Sequence, residues 1–399
     1  MSASGLSAAR LRRLGEVLTR HVESGGMPGL VAMVARRGEV HVEAIGTLEA
    51  GGSEPMHRDT IFRIASVTKQ IAAAAAMTLM EECRLRLDDP VDGLLPELAG
   101  RQVLTRIDAP LDDTVPAHRP VTVRDLLTFV WGLGAIMAPP GQYPIQRALE
   151  EAGLAPGPAG PAVEPDEWMK RLGSLPLAYQ PGDKWLYHTG SAVLGVLMAR
   201  VTGQPLAEVL AERVLRPLGM ADTGFHVPQP SQHRLAAAYR PDQETGTLVL
   251  TDDPRSSRWG APPKFPAAGG GLVSTADDLL AFCTMMLNKG RHGGGRLLAR
   301  PTVELMTTDL LTEQQKAENT IFFGGNSGWG LGFQVFGRRK TFASTPGRFG
   351  WTGGTGTSVY TDPAEELIGI LLTQREMTSP GPPNVFRDFW TCAYQAIDD

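Results

Sequence analysis

The sequence predicts a mixed α/β (α+β) protein: a central antiparallel sheet flanked by helices, plus a mostly helical second domain. β-rich runs gather near both chain ends, at residues 30–35, 39–45, 329–336, 356–361 and 367–373. Between about residues 88 and 266, Pro/Gly-rich loops alternate with helical stretches and strand signals are few. With 399 residues, 42% of them apolar, the chain is long enough for two to three domains and a sizeable core. The expected division is an α/β domain from residues 1–60 and 268–399, interrupted by a mostly helical domain at 61–267.

Each element has its own signal. Leu11, Leu14, Val17, Leu18 and Val22 recur at helical spacing, so residues 7–22 form an amphipathic helix. Arg36, Arg37 and Gly38 separate the next two apolar runs and make them an antiparallel hairpin. Ser66 introduces residues 70–80, where five consecutive alanines predict a helix buried on every side. Further helices are expected at 122–129, 190–202 and 205–214, then from Ala276, and last at 384–393. There is no internal repeat, and the only biased tract is the Pro/Gly enrichment at 155–165.

Composition narrows the function. The 38 Lys and Arg against 43 Asp and Glu give a formal net charge of −5, with no basic run, which argues against nucleic-acid or anionic-membrane partners. Three distant cysteines, Cys83, Cys283 and Cys392, fit reduced and mostly buried thiols rather than a disulfide framework. The N-terminal stretch carries three arginines without an apolar run behind them, so the expected location is cytoplasmic. Neither His-Glu-x-x-His, a P-loop nor Gly-x-Ser-x-Gly occurs, so no metal or other cofactor is implied and an α/β-hydrolase is disfavoured.

The sharpest chemical feature is Ser66-Val67-Thr68-Lys69 at the mouth of the alanine helix. Residues three apart share a helix face, so the amine reaches the hydroxyl, and a desolvated lysine is a base able to activate serine. Alone, the pattern equally fits an N-cap serine followed by a solvated lysine. Tyr187-His188-Thr189 precedes a helix and places a phenol in a loop; by itself Tyr187 also fits a packed aromatic. His188 reads as structural or solvent-facing rather than as a proton shuttle. Trp351-Thr352-Gly353-Gly354-Thr355-Gly356 precedes a strand, and its glycines either admit a substrate close to the backbone or form a turn.

Together these segments resemble the serine β-lactamase and penicillin-binding-protein superfamily, most closely its esterase branch, the family VIII carboxylesterases. The likeness runs from about Met27 to Thr373. It includes Phe62-Arg63-Ile64-Ala65-Ser66-Val67-Thr68-Lys69, Leu87-Asp88-Asp89-Pro90-Val91, Gln180-Pro181-Gly182, Leu215-Arg216-Pro217-Leu218-Gly219-Met220 and Gly270-Gly271-Leu272-Val273-Ser274-Thr275. The resemblance implies a β-lactamase-like fold with the active site at the domain junction. It implies Ser66 as acylated nucleophile, Lys69 as its partner, Tyr187 in proton transfer, and the Ser66 and Gly354 N–H groups as oxyanion hole. Whether Lys69 or Tyr187 is the base stays open at this point.

Three departures shape the expected specificity. Thr189 stands where many relatives carry an asparagine, Phe129-Val130-Trp131-Gly132 replaces a more polar loop, and Trp351 replaces the lysine of Lys-Thr-Gly. Phe129, Trp131, Thr189, Trp351, Thr352 and Gly353 are therefore expected to line a substrate site suited to a neutral small-molecule ester. The resulting reading is a serine carboxylesterase acting on short-chain esters. Its rivals are an acyltransferase, a D-amino-acid peptidase or weak β-lactamase with the same site, and a non-catalytic scaffold.

Overall fold

The computed structural model describes residues 4–157, 160–242 and 244–399. Residues 1–3 of the N-terminal stretch and residues 158–159 of the Pro/Gly-enriched tract lie outside them. Seven strands form the main sheet: Gly29–Arg36 (β1), Glu39–Gly46 (β2), Ser327–Trp329 (β3), Gln334–Phe336 (β4), Phe349–Gly353 (β5), Thr357–Asp362 (β6) and Leu367–Thr373 (β7). Their order is β3-β4-β5-β6-β7-β1-β2, and every neighbouring pair is antiparallel. The β1–β7 pairing, from Leu30 opposite Thr373 to Arg36 opposite Leu367, joins the start of the chain to its end.

Helices cover both faces. The ones that matter for the site and its frame are Ala8–Glu23 (α1), Thr68–Glu81 (α2), Val123–Thr128 (α3), Thr189–Thr202 (α4), Ala276–Leu287 (α5) and Asn384–Gln395 (α6). Strand β1 is buried along its whole length, so both sides of its pleat carry apolar residues. Leu30, Ala32 and Val34 pack with residues of α1 and α6, whereas Val31, Met33 and Ala35 face the larger core that contains α2 and α5. On the α6 side Gly369 leaves room for the Trp390 ring.

The alanine run has a packing reason. Every residue from Thr68 to Leu79 is buried, and the small faces let other backbones approach closely. Gly332, at φ +87°, sits so near Ala73 that an added Cβ would overlap it. This turn splits the expected single run 329–336 into the two short strands β3 and β4. Strand β5 was not expected, because its residues are almost all buried and show no alternation. The helix expected at 205–214 is Leu206–Leu210, followed by a wide turn over Ala211–Leu215. Residues 144–151 and 165–173 add two helices that start with proline at the first helical position. Cys283 and Cys392 are buried and Cys83 is exposed, so two of the three free thiols lie inside the protein. Among the described residues no single helix is long and apolar enough to cross a membrane.

Substituting Gly369 by Ala should force Trp390 aside and lower stability by about 1–3 kcal/mol, as overpacking does. Denaturant unfolding measures it; an unchanged midpoint would mean that this face of the sheet is loosely packed.

Candidate active site

The serine loop is built by a short ribbon in which Phe62 and Arg63 pair with Ser274 and Val273. The chain then tightens through Ala65, a non-glycine residue at φ +41°, into a single 3₁₀ turn over Ala65–Val67 that feeds α2. Such a conformation costs roughly 1–3 kcal/mol and persists only where its surroundings enforce it. Ser66 is not an N-cap: Val67 holds that position, and no side chain caps α2. Ser66 is partly exposed while Lys69 is buried.

Lys69 Nζ lies 3.0 Å from Ser66 Oγ and 3.3 Å from His188 Nδ1, and it donates to the Gly269 carbonyl oxygen. No carboxylate pairs with it among the described residues. Burial alone therefore acts on the amine and pushes it down to about 7. A neutral amine beside a hydroxyl is an available proton acceptor near neutral pH.

Tyr187, His188 and Thr189 form a γ-turn of the rare, strained kind. His188 has φ +85° and ψ −64°, and the Thr189 N–H donates to the Tyr187 carbonyl at 3.3 Å. The same carbonyl accepts the Ala135 N–H at 2.8 Å, which pins the turn from the opposite side. The turn sets the Tyr187 ring over Lys69, with Nζ 4.7 Å from its centroid. Burial pushes the Tyr187 phenol up to about 12, against the opposing pull of hydrogen bonds to Ser66 and Trp351. Burial, and next the Lys69 charge, hold His188 well below its ordinary value, so its ring is neutral.

The hairpin β5–β6 closes the third side. The Thr355 hydroxyl donates to the Arg63 carbonyl, and the Thr357 hydroxyl donates to the Ile64 carbonyl at 3.2 Å. These two bonds tie the hairpin to the serine loop. Gly354 is exposed at its tip, and neither its N–H nor that of Ser66 has an acceptor among the described residues. One free donor in the serine loop and another at the tip of the hairpin tied to it suit a developing oxyanion.

Several expected substrate contacts are corrected. Trp131 is fully buried in the main core, and Phe129 and Thr189 are also buried, so none of the three lines an open surface. Phe129 instead supports the Tyr187 ring edge-on at 5.6 Å. Gly353 packs against the serine loop, where a Cβ would overlap the Ile64 carbonyl oxygen. Trp351 is 5% exposed, and its indole N–H donates to Tyr187 Oη at 2.6 Å. It is thus first a partner of the phenol rather than a substrate wall. Thr352 is half-buried at the strand end and Gly354 is open, so both remain accessible.

Other residues at the site escaped the sequence reading. Phe322, half-buried, tilts onto Tyr187 at 5.4 Å and stacks near Trp351 at 6.4 Å, and Trp185 stacks on Tyr187 at 5.6 Å. Phe322 comes from a segment without periodicity and carried no signal. His188 faces Lys69 rather than solvent, because only the γ-turn, invisible in residue types, points it there.

A partly exposed serine, a buried amine and a phenol held around two free N–H groups define a serine hydrolase or acyltransferase site. The chain matches the Beta-lactamase family over residues 14–386 and belongs to it. It is 40% identical over 363 residues to Protein Rv1367c of Mycobacterium tuberculosis, covering 88% of this chain and 87% of that protein. It is 32% identical over 393 residues to Esterase EstB of Burkholderia gladioli, covering 93% and 92% respectively. Among solved structures, EstCE1, described as a hydrolase with promiscuous acyltransferase activity, superposes with a TM-score of 0.80 at 25% identity, covering 97% of this chain and 99% of its own.

Trp351→Phe keeps the ring packing but leaves Tyr187 Oη without its donor. A lost hydrogen bond of about 1 kcal/mol predicts roughly a five-fold lower kcat, with the fold retained. Steady-state kinetics check this; an unchanged kcat would mean that the indole N–H is idle.

Proposed function

We propose that the protein is a serine carboxylesterase that hydrolyses neutral, short-chain carboxylic esters through an acyl-enzyme on Ser66. The observation that carries the reading is the buried Lys69 amine, without a carboxylate partner among the described residues, 3.0 Å from Ser66 Oγ, together with the unpaired Ser66 and Gly354 N–H groups. The similarity to Esterase EstB supports the ester bond as the one broken. Neutral substrates are favoured because Trp351, in the middle of β5, supplies no cation to pair with a substrate carboxylate and sits within an aromatic cluster of Trp185, Tyr187, Phe322 and Trp329. The site works between a sheet-bearing lobe of residues 1–60 and 268–399 and a mostly helical lobe of residues 61–267.

In acylation, Lys69 takes the Ser66 proton and Oγ attacks the ester carbonyl carbon. The Ser66 and Gly354 N–H groups receive the charge on the carbonyl oxygen. Collapse expels the alkoxide, which takes a proton from the Tyr187 phenol; the Lys69 ammonium returns that proton to Tyr187. Water, deprotonated by Lys69, then attacks the acyl carbon; collapse breaks the bond to Ser66 Oγ, which recovers a proton from the Lys69 ammonium as the acid leaves. Tyr187 is better suited as donor than as base, because at about 12 it holds its proton at neutral pH, whereas Lys69, at about 7, has a substantial neutral fraction there.

Ser66→Ala should lose ester turnover by about 10⁴-fold or more without loss of melting temperature, since Oγ caps no helix. Retained turnover in the purified variant would refute the nucleophile. The pH dependence has a definite sign: the ammonium has no lone pair, so kcat/KM should fall about ten-fold per unit below pH 7 and level off above it. A limb near pH 10 would point to Tyr187 or an unperturbed lysine.

A second reading, acyl transfer, is favoured by the likeness to EstCE1. Adding a short alcohol should divert part of the acyl group to a new ester if the acyl-enzyme admits acceptors other than water. Product analysis separates the two, and amide and cephalosporin substrates run in parallel test peptidase or β-lactamase activity.

A further inference from the structure

The Lys69 amine has three polar neighbours: the Gly269 carbonyl oxygen, His188 Nδ1 at 3.3 Å and Ser66 Oγ at 3.0 Å. Protonated, it fills all three directions with N–H donors. Neutral, it has two N–H groups and one lone pair, and only one of the three arrangements is productive: the lone pair must face Ser66. A carbonyl oxygen accepts and never donates, so Gly269 fixes one N–H. The second must be fixed by His188. If Nδ1 were itself protonated it would donate to the lone pair and turn an N–H toward Ser66, which blocks proton removal.

We propose that His188 is a positioning residue: through an unprotonated Nδ1 it accepts one Lys69 N–H and so turns the amine lone pair toward Ser66. The proposal rests on the reading of Ser66 as nucleophile and Lys69 as base. The ring carries its proton on Nε2, the tautomer that a charged Lys69 also demands, because an ammonium offers only donors. Lys69 loses the one proton that neither Gly269 nor His188 holds.

The backbone supports this use of the side chain. His188 occupies the strained centre of the γ-turn, pinned through the Tyr187 carbonyl by Ala135 and Thr189. Glycine would relieve that conformation, and the chain keeps histidine there. The His188 ring also lies against Gly269, whose ideal Cβ would stand 3.4 Å from Cε1, so the two acceptors of Lys69 brace each other. His188 makes no direct hydrogen bond to Ser66, which separates positioning from a role as base.

Three variants and one control test it, with kcat, KM and melting temperature read on a 4-nitrophenyl ester of a short acid. His188→Phe keeps a ring but no acceptor; kcat should drop roughly 2- to 10-fold, the range of a hydrogen bond between neutral groups, with KM little changed. His188→Asn should recover most of the loss, because its Oδ1 branches where Nδ1 does and asparagine tolerates positive φ. His188→Gly should melt higher than the parent yet be as slow as His188→Phe. The proposal is overturned if His188→Phe or His188→Gly turns over like the parent, or if folded His188→Asn is no faster than His188→Gly. Should His188→Phe fail to fold, the Asn and Gly pair decides. The Ser66→Ala control distinguishes the underlying reading: turnover retained there overturns both, whereas a dead control with an unaffected His188→Phe overturns only the role of His188.

Discussion

A lysine amine enclosed by the protein with no carboxylate to share its charge is the constraint around which the rest is arranged. Moving Lys69 from its ordinary value to about 7 corresponds to a differential on the order of 5 kcal/mol between its protonation states. The folded chain bears that cost. The unfolded chain takes up the proton below about pH 10.5, whereas the folded one does so only near 7. The Lys69 contribution to stability therefore falls as pH drops from 10.5 to 7 and is level below that. In return the protein holds an uncharged base at a pH where a free lysine is ammonium.

The frame explains how the amine is kept dry and aimed. The alanine face of α2 lets neighbouring backbone press closely around it, as at Gly332. Two strained residues, Ala65 and His188, flank the reacting groups, one immediately before Ser66 and the other immediately after Tyr187. Each is enforced by hydrogen bonds from outside its own segment: Thr355 and Thr357 hold the carbonyls before Ala65, and Ala135 holds the one before His188. Strain held at these two positions, next to the reacting groups, is the pattern of preorganisation for a particular arrangement of atoms. The aromatic cluster adds a low-polarity wall and, through Trp351, a donor that orients the phenol.

Much of this was legible in the sequence, for identifiable reasons. The terminal helices follow from periodicity, the buried helix from its run of five alanines, and the β1–β2 hairpin from the turn residues Arg36, Arg37 and Gly38, all of which local residue types carry directly. The approach of Ser66 to Lys69 follows from their three-residue spacing. Strand β5 was not legible, because a strand buried on both faces has no alternation. Roles that depend on backbone torsion were also hidden. Nothing in the letters of Tyr187-His188-Thr189 states that the middle residue turns to positive φ and brings its ring to Lys69. Trp351, Phe129 and Trp131 were legible as apolar departures but not as to which way they face, since burial is settled by tertiary packing.

The central claim is that Lys69 is a neutral amine at physiological pH. The chain has seven lysines, so ¹³Cε-lysine labelling gives a spectrum simple enough to assign with a single Lys69→Arg variant. A pH titration followed by NMR reads the ionisation of each lysine directly, independent of any substrate. A Lys69 resonance that titrates near pH 7 while the others titrate above 10 is the predicted result. A Lys69 resonance that stays in the ammonium form up to pH 10 would contradict the account.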